Sequence, residues 1–241
     1  MDYTPEELMA ICLARAVRNS ETAGCGRNSP IPAAGMLIAK HLHAPDTEVI
    51  ILGSKQWWPF SGPRKQFFDF ANRGGFDLFH TSGGEIDVYG NVNLHVIGDY
   101  EQPAVRFPGA FGMAVMYFVA KRIHLFRTEH TPRALVEHVQ FITCPANPPE
   151  GVRHGAGPQL LVTSKAVFRM DEAADRFRVE SAHSGVAGED LVASTGWRLH
   201  LPAHLPVTPP PTREELAALR GPVAAELRAL YPKFVAQSVL V

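Results

Sequence analysis

Apolar residues follow a helical period near the start of the chain. Residues 4–7 supply a capping hydroxyl, a proline at the first helical position and a glutamate placed for a capping box, and apolar positions 8, 11 and 12 continue the pattern. Residues 22–32 are dense in turn formers and predict a loop, which a second helix follows until Pro45 stops it. The β-branched run 47–52 then predicts a short buried strand. This succession of helix, short apolar strand and helix predicts an α/β fold with a parallel sheet.

The rest of the chain continues this alternation. Further strands are predicted over residues 76–98, 123–127, 139–143, 160–168 and 176–180, with helices over 113–120 (a buried one), 188–195 and after Thr212. We expect one domain over residues 1–241, in which residues 206–241 form a C-terminal linker and helix.

An aromatic loop follows the strand at 47–52. It contains Trp57, Trp58 and Phe60 among prolines. These side chains either pack as a plug against the core or form a wall of an apolar pocket or a subunit contact. The sequence leaves both interpretations open, and an exposed aromatic loop would argue against a solitary monomer.

Composition and charge indicate an ordinary globular protein. Of the 241 residues, 46% are hydrophobic and 20% are charged, and the net charge of −1 comes with no basic block typical of nucleic-acid binding. The three cysteines lie far apart, and no signal peptide or long apolar run is present, so we expect a soluble, cytoplasmic protein with no membrane contact. His41 and His43 form an isolated HxH pair, which predicts a surface helix end and no metal site.

Three segments together resemble the β subunits of class I CoA-transferases. Residues 83–93 (GGEIDVYGNVN) resemble the family signature GG-x-Q-[IV]-D-x-x-GN-x-N, and residues 97–100 with 106–109 resemble the β subunit of glutaconate CoA-transferase in particular. The C-terminal segments LVT, AVF, HSGV and STGW resemble the end of that subunit. The likeness covers nearly the whole chain.

The resemblance implies the class I CoA-transferase fold, a mostly parallel sheet flanked by helices, and a heteromeric enzyme. It implies an α subunit as partner, an acyl-CoA thioester as substrate, and no cofactor. Glycine loops in such a site let backbone N–H groups approach a thioester oxygen as charge grows on it. The residues expected to contact the substrate or CoA are Gly24, Cys25, Gly26, Leu52, Gly53, Ser54, Gly83, Gly84, Glu85, Gly109, Ala110, Phe111 and Gly112.

Leu52 departs from the family pattern. In the transferases, a glutamate of this subunit attacks the acyl-CoA from the end of the strand that corresponds to residues 47–52. Here Leu52 occupies that position, Glu48 lies at the wrong end of the strand, and Phe111 replaces a glycine of the family's glycine loop. Glu85 stands where the signature has glutamine, and we expect it to form structural hydrogen bonds. Cys25 is expected to line the pocket more readily than to act as a nucleophile.

These changes predict a less polar site without a nucleophilic carboxylate. Cofactor-free decarboxylation of a glutaconyl-type (3-methylglutaconyl-like) CoA thioester suits such a site, because it needs a stabilised thioester oxygen and a poorly solvated carboxylate. The first alternative is a CoA-transferase or acyl-CoA hydrolase whose catalytic carboxylate comes from the partner subunit. The second is a non-catalytic structural subunit. The sequence identifies no catalytic residue of its own.

Overall fold

The computed structural model describes residues 2–62, 65–147, 149–152 and 154–240. The chain divides into two compact units, each described by itself below. Unit 1 comprises Met1–His80 and Pro209–Val241, and unit 2 comprises Thr81–Thr208. Within the described ranges, every helix is too short or too polar to cross a bilayer.

The helices, in chain order, are α1 (Pro5–Ala14), α2 (Pro30–Leu42), α3 (Lys65–Asn72), α4 (Met113–Val119), α5 (Gly188–Ser194), α6 (Arg213–Ala218), α7 (Ala224–Leu227) and α8 (Pro232–Ser238). A π-helical turn over Leu219–Val223 joins α6 to α7. The strands are β1 (Thr22–Cys25), β2 (Glu48–Ile51), β3 (Leu78–Thr81), β4 (Glu85–Asp87), β5 (Val92–Asn93), β6 (Val96–Gly98), β7 (Pro103–Arg106), β8 (Arg122–Arg127), β9 (Leu135–Val136), β10 (Pro158–Thr163), β11 (Ala166–Asp171) and β12 (Arg176–Ala182).

Unit 1 is built on parallel strands in the order β3-β1-β2. The parallel sheet predicted from the sequence is therefore confirmed, but the prediction of a loop over residues 22–32 is wrong in two places. Residues 22–25 form the central strand β1, and α2 begins at Pro30. Glycine disfavours a strand by propensity, which is why this segment resembles a turn. A larger residue does not fit at Gly24, however, because a methyl group there would lie 2.6 Å from the Phe76 ring. Tertiary packing therefore requires the glycine in this strand.

The C-terminal segment of unit 1 packs on the first helices of the chain. Arg220 donates to the buried carboxylate of Glu7 at 2.8 Å, and Arg15 donates to Glu215 at 2.7 Å. Glu7 also accepts the Thr4 N–H within a capping box, so its buried charge is paired and hydrogen-bonded. A buried carboxylate is tolerated when it is satisfied in this way.

The aromatic loop belongs to the packing of unit 1. Trp58 stacks on Phe67 of α3 with ring centroids 5.5 Å apart, and Phe60 meets Phe67 and Phe70 edge to face. The aromatic side chains of the loop are half-buried. This geometry supports the packing interpretation of Trp58 and Phe60, and the exposure that would have argued against a monomer is not observed.

Unit 2 contains the strands β12-β11-β10-β8, which pair in that order, and two smaller sheets. Strand β10 pairs in parallel with β8 and antiparallel with β11, which pairs antiparallel with β12. Strand β4 lies between β5 and β9, and β6 pairs with β7 as a hairpin. The strand predicted at 139–143 is not formed. Residues 135–136 pair with β4 in its place, and Thr143, which lies outside the strands, donates its N–H to the Val92 carbonyl of β5.

Helix α4 is less buried than predicted. Only Met116 and Tyr117 are buried among its seven residues. A helix of two turns that packs on one side exposes its other face, even when that face is apolar. The helix exists where the sequence predicts it, but the expected burial is wrong.

A buried polar network ties together loops of unit 2. The two ring nitrogens of His130 lie 2.7 Å from the Thr163 hydroxyl and 2.9 Å from the Thr195 hydroxyl. His183 in turn contacts the Thr208 hydroxyl at 2.9 Å and the Thr163 carbonyl at 2.9 Å. Burial lowers the pKa of His130 from 6.5 to about 4, with smaller contributions from the charges of Lys165 and His183. The network therefore holds His130 in its neutral form.

Candidate active site

Leu52 and Cys25 lie side by side at the carboxyl ends of two parallel strands of unit 1. Cys25 pairs with Ile51 in the register of β1 and β2, and the Leu52 N–H donates to the Cys25 carbonyl at 3.2 Å. The two segments predicted for this part of the site, residues 24–26 and 52–54, therefore meet at one edge of the sheet. Leu52 is half-buried, and Glu48 lies at the opposite end of β2.

The loop after β2 is held by its own hydrogen bonds. Gly53 adopts a left-handed φ of +89°, and the Ser54 hydroxyl accepts the Trp57 N–H at 2.9 Å. The Trp57 carbonyl accepts the Ile51 N–H at 2.8 Å, which returns the loop to the strand. The hydroxyl of Ser54 is thus engaged in a turn, and its contact with substrate stays a prediction.

Cys25 is not arranged as a nucleophile. Its side chain is 1% exposed, and burial raises the pKa of its thiol far above the ordinary value. The sulfur lies 3.8 Å from the Ser29 carbonyl, an acceptor that favours the protonated thiol. A buried, protonated thiol is a poor nucleophile, and the expectation that Cys25 lines the pocket stays a prediction.

Arg27 is a candidate that sequence reasoning missed. Its side chain is exposed and lies over Gly53, so that a methyl group on Gly53 would be 3.1 Å from the Arg27 Cγ atom. The available signal was its place as the first charged residue after β1, in a loop next to the predicted site.

Gly83 and Gly84, in unit 2, are required by close packing. A methyl group would lie 2.3 Å from the Val92 side chain at Gly83, and 2.2 Å from the Phe107 ring at Gly84. The Gly84 N–H donates to the Asn93 carbonyl at 2.8 Å. Tight packing therefore explains these two glycines without a ligand, and the Gly84 N–H is already committed within the chain.

Glu85 is a structural acceptor, as expected. Its carboxylate, 1% exposed, accepts the Asn93 amide at 2.7 Å and both the backbone and side-chain N–H groups of Gln140 at 3.0 Å. Gln140 is oriented for this contact because its side-chain oxygen accepts the Gly98 N–H at 2.8 Å. A carboxylate can accept from all three donors, which accounts for glutamate at a position where the family signature has glutamine.

Asp87 and Asn91 of the same signature form a second buried turn. Asp87 accepts the backbone N–H of Tyr89 and of Asn91, and also the Asn91 side-chain amide at 2.9 Å. Burial raises the pKa of Asp87, while these hydrogen bonds act against that rise. The Asn91 side-chain oxygen accepts the Ala146 N–H at 2.8 Å. The polar residues of the signature therefore fix a turn, and the sequence alone does not separate this role from catalysis.

The glycine loop at 109–112 presents an exposed aromatic ring. Phe111 is 84% exposed and has a left-handed φ of +48°, between Gly109 at +94° and Gly112 at +89°. The Gly109 N–H donates to the Leu94 carbonyl at 3.0 Å, so it is engaged within the chain. Packing within the described part of unit 2 therefore does not explain the strained conformation of Phe111. The contacts of Ala110 and Phe111 with an acyl-CoA stay predictions.

His41 and His43 diverge, as the surface interpretation predicts. His41 lies in the last turn of α2 and contacts Glu226 at 2.8 Å, whereas His43 contacts the Val17 carbonyl at 3.2 Å. In the described part of the chain, no group of three or more His, Cys, Asp or Glu side chains is arranged to hold a metal ion.

Known proteins similar to this chain identify its family. No protein-family model matches it. The β subunit of 3-oxoadipate CoA-transferase from Pseudomonas knackmussii is 30% identical over 245 residues, which span 91% of this chain and 93% of that protein. The chain belongs to the class I CoA-transferase family. Its family membership as a β subunit, predicted from the motifs, is thereby confirmed.

A second relative and a solved structure are also similar to this chain. The β subunit of glutaconate CoA-transferase from Acidaminococcus fermentans is 27% identical over 231 residues, which span 82% of this chain and 84% of that protein. A crystal structure of the decarboxylase AibA/AibB matches with a TM-score of 0.77 at 24% identity, over 91% of this chain and 94% of that one. At this identity the structural likeness shows the shared fold, a mostly parallel sheet flanked by helices.

Proposed function

We propose that this chain is the β subunit of a heteromeric enzyme that decarboxylates a glutaconyl-type acyl-CoA. The observation that carries the proposal is the position of Leu52 beside Cys25, at the carboxyl ends of β1 and β2. From the family resemblance, we expect the transferases to carry their attacking glutamate at the position that corresponds to this strand end. The loop segments 24–29 and 52–58 contain no acidic residue that could replace it.

An α-type subunit is the expected partner. Both relatives are one subunit of a CoA-transferase, and the decarboxylase AibA/AibB is named for two components. Phe111, exposed to 84% on a strained loop, supports the presence of a further component that contacts it in the working enzyme.

Decarboxylation needs no nucleophile from the protein. The bond between the γ-carbon of the acyl chain and its free carboxylate breaks, CO2 leaves, and the electron pair passes through the conjugated chain to the thioester oxygen. A proton from solvent or a nearby acid then restores a neutral, unsaturated thioester. The protein's part is to hold the thioester oxygen and to keep water from the carboxylate, and an apolar Leu52 suits the second requirement.

CoA transfer is the second candidate, because both relatives carry that name. It requires a carboxylate to form an acyl anhydride and then a thioester with CoA. Since Leu52 cannot supply this carboxylate, transfer requires one on the partner subunit. Acyl-CoA hydrolysis would carry the same requirement.

Product analysis of the co-purified pair distinguishes the candidates. We expect glutaconyl-CoA or 3-methylglutaconyl-CoA to lose the mass of one CO2 molecule without any added cofactor, as measured by mass spectrometry. Formation of acetyl-CoA from added acetate, with no loss of CO2, would refute decarboxylation and support transfer.

A matched pair of variants tests the role of Leu52. Leu52→Glu places a charge at the strand end and is expected to lower decarboxylation at least about 100-fold, because a carboxylate there repels the substrate's own and draws water to it. Leu52→Gln introduces a side chain of nearly the same size as Leu52→Glu but without the charge, so it is expected to lose less decarboxylation activity. Equal rates for the wild type and Leu52→Glu would show that Leu52 lies outside the site.

A further inference from the structure

Arg27 occupies a special place in the topology of unit 1. The strand order β3-β1-β2 reverses at β1, since the chain goes from β1 to one neighbour and then to the other. Ligands of open α/β sheets bind beyond the carboxyl ends of the strands, at such a switch point. Arg27 follows β1 by two residues, so its loop is the one that this rule selects.

The geometry of the neighbouring loop keeps Arg27 in place. Its Cγ and Nε atoms would lie 3.1 and 3.3 Å from a methyl group on Gly53. The aliphatic part of the arginine thus rests on the backbone of Gly53, whose φ of +89° also favours glycine. Arg27 thus contacts the loop that follows β2 from its own position after the carboxyl end of β1.

The charge of Arg27 is uncompensated within the described part of the chain. The structure gives its guanidinium no hydrogen bond or ion pair there, whereas Arg15 and Arg220 each pair with a carboxylate. The loop segments 24–29 and 52–58 contain one further cation, the exposed Lys55, and no acid. The whole chain has nearly equal numbers of basic and acidic residues, 23 and 24, so the excess of positive charge belongs to these two loops and not to the chain as a whole.

We propose that Arg27 binds an oxyanion of the acyl-CoA, either the free carboxylate of the acyl group or a phosphate of CoA. The guanidinium presents several N–H donors in a plane, which matches both groups. The inference rests on the proposed acyl-CoA chemistry and assigns a binding residue to it. An arginine bound to the free carboxylate would stabilise the substrate before CO2 leaves and would therefore slow decarboxylation. If the acyl carboxylate is the bound group, CoA transfer becomes the better candidate function.

Binding measurements on the co-purified pair test this assignment. The ligands are glutaryl-CoA, which has a free carboxylate but no double bond to support decarboxylation, butyryl-CoA, which has no free carboxylate, and the 3′-dephospho form of each. Affinities are measured by titration calorimetry for the wild type, Arg27→Gln and Arg27→Lys. The matched control is Arg18→Gln, which removes an exposed arginine of the same unit ahead of the amino end of β1.

We expect Arg27→Gln to weaken glutaryl-CoA binding about 10- to 100-fold, the value of a hydrogen bond to a charged group, and Arg27→Lys to recover part of the loss. A loss confined to the glutaryl ligands identifies the acyl carboxylate as the bound group. A loss that is equal for glutaryl and butyryl ligands but absent from the dephospho forms identifies the 3′-phosphate, and an equal loss for all four identifies the pyrophosphate.

Two outcomes would overturn the inference, and they are distinguishable. If Arg27→Gln binds every ligand as tightly as Arg18→Gln does, Arg27 is not a binding residue although the acyl-CoA chemistry stands. If the wild-type pair binds none of the four ligands, the proposed function fails and the inference fails with it.

Discussion

His130 gives unit 2 a calculable sensitivity to acid. Both of its ring nitrogens contact threonine hydroxyls, and burial lowers its pKa from 6.5 to about 4. At pH values between these two, His130 is protonated in the unfolded chain and neutral in the folded chain. The free energy of unfolding therefore rises with pH across this range and falls as the pH is lowered. The full difference between the two pKa values corresponds to about 3 kcal/mol, of which about 2 kcal/mol is lost between about pH 7.5 and pH 5.

Urea unfolding of the purified chain can measure this loss. Trp197 reports on unit 2, because its ring packs at 5.7 Å from Phe168, which in turn lies 5.9 Å from His130. A background of Trp57→Phe and Trp58→Phe leaves Trp197 as the only tryptophan, since the chain has three. The free energy of unfolding is then measured at pH 7.5, 6 and 5.

The comparison of variants isolates the contribution of His130. His130→Gln is less stable than the parent at pH 7.5 because it loses a buried contact. Glutamine does not titrate, so this position no longer contributes to the pH dependence. Its deficit relative to the parent should therefore shrink by about 2 kcal/mol between pH 7.5 and pH 5. His204→Gln, at an exposed position, should leave the pH profile unchanged. A deficit of His130→Gln that stays constant over this range would refute the reasoning.

Glu85, Phe111 and Cys25 each give a further prediction. Glu85→Gln should lower the free energy of unfolding by about 1–3 kcal/mol, because its amide N–H group would face the side-chain N–H of Gln140, which Gly98 holds in orientation. Urea unfolding measures the loss, with the exposed Glu101→Gln as control. Phe111→Gly should raise stability by about 1 kcal/mol in the same assay, since it relieves a left-handed φ and loses little burial; a loss of stability would contradict this. Cys25 should resist iodoacetamide at pH 8 in the folded chain and react after unfolding in urea, because burial raises the pKa of its thiol; rapid labelling of the folded chain, read by peptide mass, would contradict it.

Local sequence patterns predict only the parts of the fold that local contacts determine. The capping box at Thr4 depends on a residue three positions away and forms as predicted, and the helix predicted after Thr212 begins with a capping box of the same kind. Strand β1 was hidden because Gly24 disfavours a strand by propensity, while the Phe76 ring that needs the glycine comes much later in the sequence. Leu52 directly follows β2, because a short apolar strand with a clear end leaves little freedom in register.

The candidate site illustrates the same limit. The acceptor role of Glu85 depends on Gln140, 55 positions away in the sequence, and the burial of Cys25 depends on the whole of unit 1. Arg27 belongs to no motif. Its place next to the predicted site is visible in the sequence, but the strand order and the contact with Gly53 come from the structure. Family resemblance supplied the meaning of Leu52, which spacing and composition do not contain.

The composition of unit 1 from two separate stretches has a consequence for synthesis on the ribosome. Residues 81–208 form a continuous unit that can collapse as soon as they leave the exit tunnel, whereas the first stretch of unit 1 waits for Pro209–Val241. Until then Glu7 lacks the guanidinium of Arg220, and α2 lacks its packing contacts with α6, the π-helical turn and α7. Nascent chains truncated before residue 209 should therefore bind chaperones, and the release of the last segment should end that dependence.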